Sequence, residues 1–327
     1  MVREKYIDSV KGFCILCIVL LHYTSGVFPD TFNVFVGSFM ITAFYVVAGW
    51  LSAMNVTDMS IKVFVSKRFR QLGIPYLYWT VIILLFDVIL WIAGYYDVYY
   101  IGKEIYKSLV LRGIGTLWFL PALMVGGIVW HVLKGKDLWI KLFALCLTIC
   151  YQCVYVYVFN GDDTTSMKII NAPFRAIYNM AEAWIGIAFG YYAYHYSKRI
   201  LKNRRILFIT GLFLLIVAYI SANYYPFNFA TGWFYLAPLI GPLGLIYLAK
   251  SMRYGFMYLN YWGYHSLNLM VTHYSITLVL FKILIENVLG FPFYGWLTLI
   301  AFFASMPVQH LWVILIDKYA RFTLGKK

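Results

Sequence analysis

Ten runs of about twenty mostly apolar residues run through the chain, each long enough to cross the ~30 Å hydrocarbon layer of a bilayer as a helix. They fall at residues 12–27, 32–54, 74–95, 117–133, 138–159, 177–196, 206–224, 233–250, 261–285 and 293–316. Composition agrees, with 63% hydrophobic and 12% charged residues, against about half and a quarter in an ordinary soluble domain. The expected fold is an all-α polytopic membrane protein of about ten transmembrane helices. A single membrane domain over residues 1–327, with both termini on one side, is the simplest organisation.

Charge placement orients it. In a soluble chain the net charge of +14 would suggest nucleic acid. With the N-terminus inside, however, all but six of the 27 Lys and Arg fall on inner loops or inner span ends, as the cytoplasmic bias of basic residues requires. The exceptions are Lys103, Lys107, Arg112, Lys168, Arg175 and Lys282. No nucleic-acid partner is implied, and both termini are expected in the cytoplasm. The two longer loops, 96–116 and 160–171, then lie outside, the first with a short interfacial helix near 101–111. Tyr95, Tyr96, Tyr99, Tyr100, Tyr224, Tyr225 and Trp233 near span ends read as an interfacial belt, with a sugar-stacking surface as the alternative. Arg3, Lys5 and Lys11 precede the first apolar run in a signal-like layout, but no small-residue cleavage site follows, so a retained first span is expected.

All five cysteines, Cys14, Cys17, Cys146, Cys150 and Cys153, sit in apolar runs and are expected to be buried small residues rather than disulfide or iron–sulfur ligands. The six histidines form no paired ligand motif, so no metal is expected. His131 and His195 lie near inner span ends, where a polar tip reaches water.

The stretch from Asp8 to Tyr23 carries Lys11 at its start and His22 near its far end. Eleven residues of helix bring both onto one face about 16 Å apart. Ionisable groups inside spans are functional candidates, which singles out His22, Asp87, Glu182 and His273. The alternative for each is a hydrogen bond that fixes helix packing.

Asp8-x-x-Lys11-Gly12 leading to His22, then Phe39-Met40 through Phe44 to Gly49-Trp50-Leu51, resembles the opening of the acyltransferase 3 family of integral membrane acyltransferases. In order there follow Lys67-Arg68-Phe69-Arg70-Gln71-Leu72 with Pro75-Tyr76, Leu117-Trp118-Phe119-Leu120-Pro121, Gly263 to Ser266-Leu267 with His273, and Pro307 to Gly325-Lys326. The resemblance spans nearly the whole chain and is nearest to the sugar 4-O-acetylase-like branch. It implies ten spans in a bacterial cytoplasmic membrane, and transfer of an acetyl group from acetyl-CoA to a hydroxyl of a sugar or envelope glycan. By position, His22 matches the catalytic histidine and Lys11 a basic residue more often arginine, and both are expected to be catalytic. Arg68 and Arg70, with Lys67, match a cluster thought to face the cytoplasmic donor. Ala48 stands where many members have serine.

Acyl transfer from a thioester to an alcohol needs a base, oxyanion stabilisation and anchorage for a polyphosphate donor. His22 supplies the base, either directly or through an acylated imidazole. Trp118, Glu182, His273 and Asp87 are expected to line the acceptor site. A transporter or flippase would also suit ten spans with buried ionisable groups, although Pro238 and Pro242 break span eight without a matching pair elsewhere. A sensor or scaffold would show no turnover.

Overall fold

The computed structural model describes residues 4–24, 26–55, 59–159, 165–200, 203–224, 236–252 and 256–326, and among these it is helical with no strand. Arg3, Tyr225, Trp233 and the start of the eighth predicted span lie outside the described residues. The helices are α1 (Lys5–Tyr23), α2 (Asp30–Met54), α3 (Ile61–Arg68), α4 (Ile74–Ile92), α5 (Val98–Leu109), α6 (Phe119–Leu133) and α7 (Leu138–Phe159). They continue with α8 (Thr165–Ile200), α9 (Arg204–Tyr224), α10 (Leu236–Ser251), α11 (Met257–Tyr264), α12 (Ser266–Thr272), α13 (Val279–Ile283) and α14 (Trp296–Tyr319). Among the described residues seven continuous helical segments are long and apolar enough to span a bilayer; α6 and α10 are apolar but shorter. The protein is an all-α polytopic membrane protein.

Three elements differ from their sequence reading, the first being the second outer loop, read at 160–171, which is already helical from Thr165 as the start of α8. The ninth predicted span is not one α-helix: His265 leaves helical geometry at φ −97°, ψ 17°, and His273–Leu278 and Leu284–Val288 are π-helical. Single π turns shift side chains by a fraction of a turn and occur frequently at functional sites. The interfacial helix in the first outer loop exists as α5, three residues earlier than expected, because Asp97 caps it by accepting from the Tyr100 N–H at 2.6 Å.

The chain divides into two compact units, one of residues 1–57 and 186–314, the other of 58–185 and 315–327. In the first, α1 and the α11–α12 segment run parallel in constant register. Ser9 donates to Asn260 at 2.7 Å across a separation of 251 residues, and His22 meets His273 across the same separation. Between them Gly12 and Gly263 cross so closely that a Cβ on Gly12 would strike the Leu259 carbonyl, and one on Gly263 the Asp8 carbonyl. Lipid tails are as apolar as the helices, so close backbone approach through small residues is what holds such pairs together. Gly49 and Gly190 make an equivalent crossing of α2 with α8. Trp50, fully buried, donates to the Tyr6 hydroxyl at 3.1 Å and joins α2 to α1.

In the second unit, α3 passes through a π turn, Phe69–Gly73, into α4. Tyr76 of α4 donates to the Ser108 carbonyl of α5 at 2.6 Å. Gly325, at φ +66°, packs against the Arg70 carbonyl, where only a residue without Cβ fits. The cysteine reading is corrected in part. Cys14 is buried, but Cys146 and Cys150 are exposed on α7, whose span window is only 11% buried, so this helix offers its apolar side chains outward. His131 is half-buried: it stacks on Phe64, with centroids 4.0 Å apart, and bonds the Met59 carbonyl at 3.0 Å.

Candidate active site

α1 ends just past His22. The Thr24 N–H and hydroxyl both reach the Leu20 carbonyl, at 2.8 and 2.7 Å, and close the helix. His22 therefore occupies the last turn, where the free carbonyls of the helix end stabilise a cation that forms beside them. Its ring is exposed, and Tyr274 packs edge-on against it at a centroid distance of 4.8 Å.

The register of α1 against α12 brings His22 Nδ1 to 3.1 Å from His273 Nε2, with the two rings stacked at 5.2 Å. His273 is fully buried, and its Nδ1 lies 2.7 Å from the Leu269 carbonyl. A carbonyl only accepts, so His273 Nδ1 carries a proton. With one proton per ring, His273 Nε2 is then an acceptor and His22 Nδ1 the donor. The remaining lone pair of the pair is thereby fixed on His22 Nε2. A base is poised on the exposed ring, and the buried ring and a main-chain carbonyl decide which nitrogen presents it.

Below His273, Thr272 donates to the Asn268 carbonyl at 2.8 Å and lies 2.7 Å from the Gln309 side-chain amide. The atom it meets is Gln309 Oε1, so the single hydroxyl proton is shared between two acceptors, the Asn268 carbonyl and the Gln309 side-chain oxygen.

Of the other residues expected from the sequence, Lys11 pairs with the buried Asp8 at 2.9 Å. Being about 16 Å down the same helix, it does not share the histidine site. Arg68 lies against Gly127 of α6, where no side chain intervenes, and over the Phe64 ring at 5.1 Å. Arg70 is exposed and Lys67 half-buried beside it. Asp87 is buried and has Glu104 and Lys107 as charged neighbours. Glu182 is half-buried with Arg175 as its charged neighbour, and Trp118 faces Arg112 at 5.9 Å. Lys67, Arg68, Arg70, Asp87, Trp118 and Glu182 belong to the second unit; in the first unit His22 and His273 are in contact with one another.

The family model described as an acyltransferase domain, acyltransferase 3, matches residues 4–310. The chain belongs to the acyltransferase 3 family. No curated protein and no solved structure matches it. As a member of this family it is a multi-pass membrane acyltransferase. His22 and His273 both lie within the matched range. Sequence reading singled out both histidines as candidates but not their contact, which the parallel course of α1 and α12 creates. The Leu269 carbonyl and Tyr274 were missed altogether, because a main-chain acceptor has no residue type to flag it, and one more tyrosine among 30 is no signal.

Proposed function

We propose that this acyltransferase 3 protein moves an acetyl group from cytoplasmic acetyl-CoA to a hydroxyl of a sugar or envelope glycan, with His22 as general base. The observation that supports this most directly is the His22–His273–Leu269 chain, which leaves a lone pair on an exposed imidazole nitrogen. The acceptor hydroxyl gives its proton to His22 Nε2 as its oxygen attacks the thioester carbonyl. The C–O bond forms, the C–S bond breaks, and the CoA thiolate leaves with the proton returned by His22. His273 acts as a positioning residue: it keeps Nδ1–H of His22 engaged throughout and shares the charge of the transient imidazolium, as the third member of a hydrolytic triad does.

Lys67, Arg68 and Arg70 are assigned to the donor phosphates, for which arginine's planar fork is suited. Lys11 is assigned to neutralising Asp8 at the membrane edge. Trp118, Glu182 and Asp87 are carried as candidate acceptor-side residues.

The test supplies labelled acetyl-CoA to membranes holding equal amounts of wild type and His22→Ala. Loss of label from the glycan fraction in the variant is expected; equal labelling would remove His22 from the chemistry.

A further inference from the structure

Five of the six basic residues that escape the inner-side bias converge on one place. Lys103, Lys107, Arg112, Lys168 and Arg175 all line a single cavity of about 650 Å³ in the second unit, formed by α5, the segment after it, the end of α7 and the start of α8. Tyr99, Lys103, Tyr106 and Lys107 share one face of α5 at helical spacing, as do Lys168, Asn171, Ala172 and Arg175 on α8. The bias that accounts for the other basic residues predicts the opposite of this cluster, so topology does not explain it.

Among the described residues no carboxylate lines the cavity; Asp162 and Asp163 are outside them. Behind the lining, Glu104 is buried beneath Lys107 at 2.7 Å and Lys103 at 3.8 Å, one carboxylate against five lining cations among the described residues. Arg112 is held below the ordinary arginine value, first by burial and then by the charge of Arg175, a repulsion that a bound anion relieves.

Four aromatic rings, Tyr99, Tyr106, Tyr155 and Phe159, also line it, beside Asn171 and three small or aliphatic side chains. The Tyr155 hydroxyl donates to Asn171 Oδ1 at 2.7 Å and Tyr106 to the Ile169 carbonyl at 3.1 Å. With its oxygen engaged, Asn171 turns its N–H groups to the remaining space, adding neutral donors to the charged ones. Arg175 lies over Tyr178 at 5.0 Å and over the lining ring of Tyr155 at 5.9 Å, so its guanidinium is braced on aromatic faces although the residue is exposed. Charged donors select an oxyanion, aromatic faces select a ring that stacks, and the volume falls within the range of small-molecule sites.

We infer that this cavity, on the side opposite the cytoplasmic basic loops, is a binding site for a saccharide bearing an oxyanion, either phosphate or carboxylate. The inference does not depend on the acyl-transfer reading, because binding is measured without a donor.

The experiment titrates full-length protein in neutral-lipid nanodiscs with glucose 1-phosphate, glucuronate, glucose and inorganic phosphate, in wild type, Lys168→Gln/Arg175→Gln and Tyr99→Ala. Lys168, Arg175 and Tyr99 are exposed, and thermal unfolding confirms that the variants fold. At least one anionic sugar should bind tenfold or more tightly than glucose, weaken by tenfold or more in the double variant, and weaken severalfold in Tyr99→Ala while phosphate binding does not change. Glucose binding as well as the anionic sugars, phosphate binding as tightly as the sugar phosphate, or a double variant without effect would each overturn the assignment. Phosphatidylglycerol retained by wild type and lost from the double variant, with no sugar binding, would give the cavity to a lipid headgroup instead.

Discussion

Replacing His273 tests the central feature of the site, since it makes two contacts that different side chains can separate. Glutamine reaches as far as the imidazole Nε2 and can accept from His22 Nδ1 with its Oε1, but gives up the bond to Leu269. Asparagine mimics Nδ1 and can keep the 2.7 Å bond to the Leu269 carbonyl, but falls short of His22, which lies 3.1 Å beyond Nε2. In a Ser-His-Asp triad, an orienter that holds the wrong tautomer costs about 10⁴ in kcat. Here the orienter is a neutral ring rather than a carboxylate, so a loss of about 10²–10³ is expected for His273→Asn. At about 1.4 kcal/mol per tenfold, that is roughly 3–4 kcal/mol of transition-state stabilisation. His273→Gln should retain at least tenfold more activity than His273→Asn, with the acetyl-CoA KM the same in both. The assay is initial-rate transfer from labelled acetyl-CoA at matched protein abundance, with thermal unfolding of each variant alongside. Asparagine equal to or better than glutamine would refute the proton arrangement, as would a His273→Ala protein that folds and retains wild-type kcat.

Other perturbations probe separate links. Arg68→Ala should raise the acetyl-CoA KM severalfold with acceptor KM unchanged; the reverse pattern would take Arg68 out of the donor site. Gly12→Ala forces the α1–α11 crossing apart and should lower stability by about 1–3 kcal/mol, the usual range for overpacking, seen as a lower unfolding temperature and reduced activity together. Tyr76→Phe removes the 2.6 Å bond to the Ser108 carbonyl and should cost about 1 kcal/mol, measured by thermal unfolding, with no change in kcat at a temperature where the protein is folded.

Hydropathy made the helices legible, because the bilayer imposes both length and composition on any span. Each predicted run overlaps a described helix, though several helices end short of the run's bounds, and even the capped α5 was visible from its mix of Lys103, Glu104 and Lys107 with apolar residues. The failures came where tertiary contact outweighs composition. Cys146 and Cys150 are as apolar as Cys14, and nothing local says that α7 faces outward while α1 faces in. His131 carries no mark of Phe64 or Met59, which lie about seventy residues away in sequence. The π turns at Phe69 and His273 depend on packing rather than propensity. His22 could be found by its company in the first span. That His273 touches it required knowing which helices run side by side.

The constant offset between α1 and the α11–α12 segment makes chain length, rather than residue chemistry, the stricter specification for this site. Ten residues separate Gly12 from His22 on one strand of the pair and ten separate Gly263 from His273 on the other, so the glycine crossing sets the zero of a scale on which the histidines are read. One residue inserted on either side turns a histidine by about 100° and slides it about 1.5 Å, farther than any rotamer adjustment recovers. Many substitutions along those two stretches are compatible with the geometry; a single insertion or deletion is not, unless matched by its twin 251 residues away.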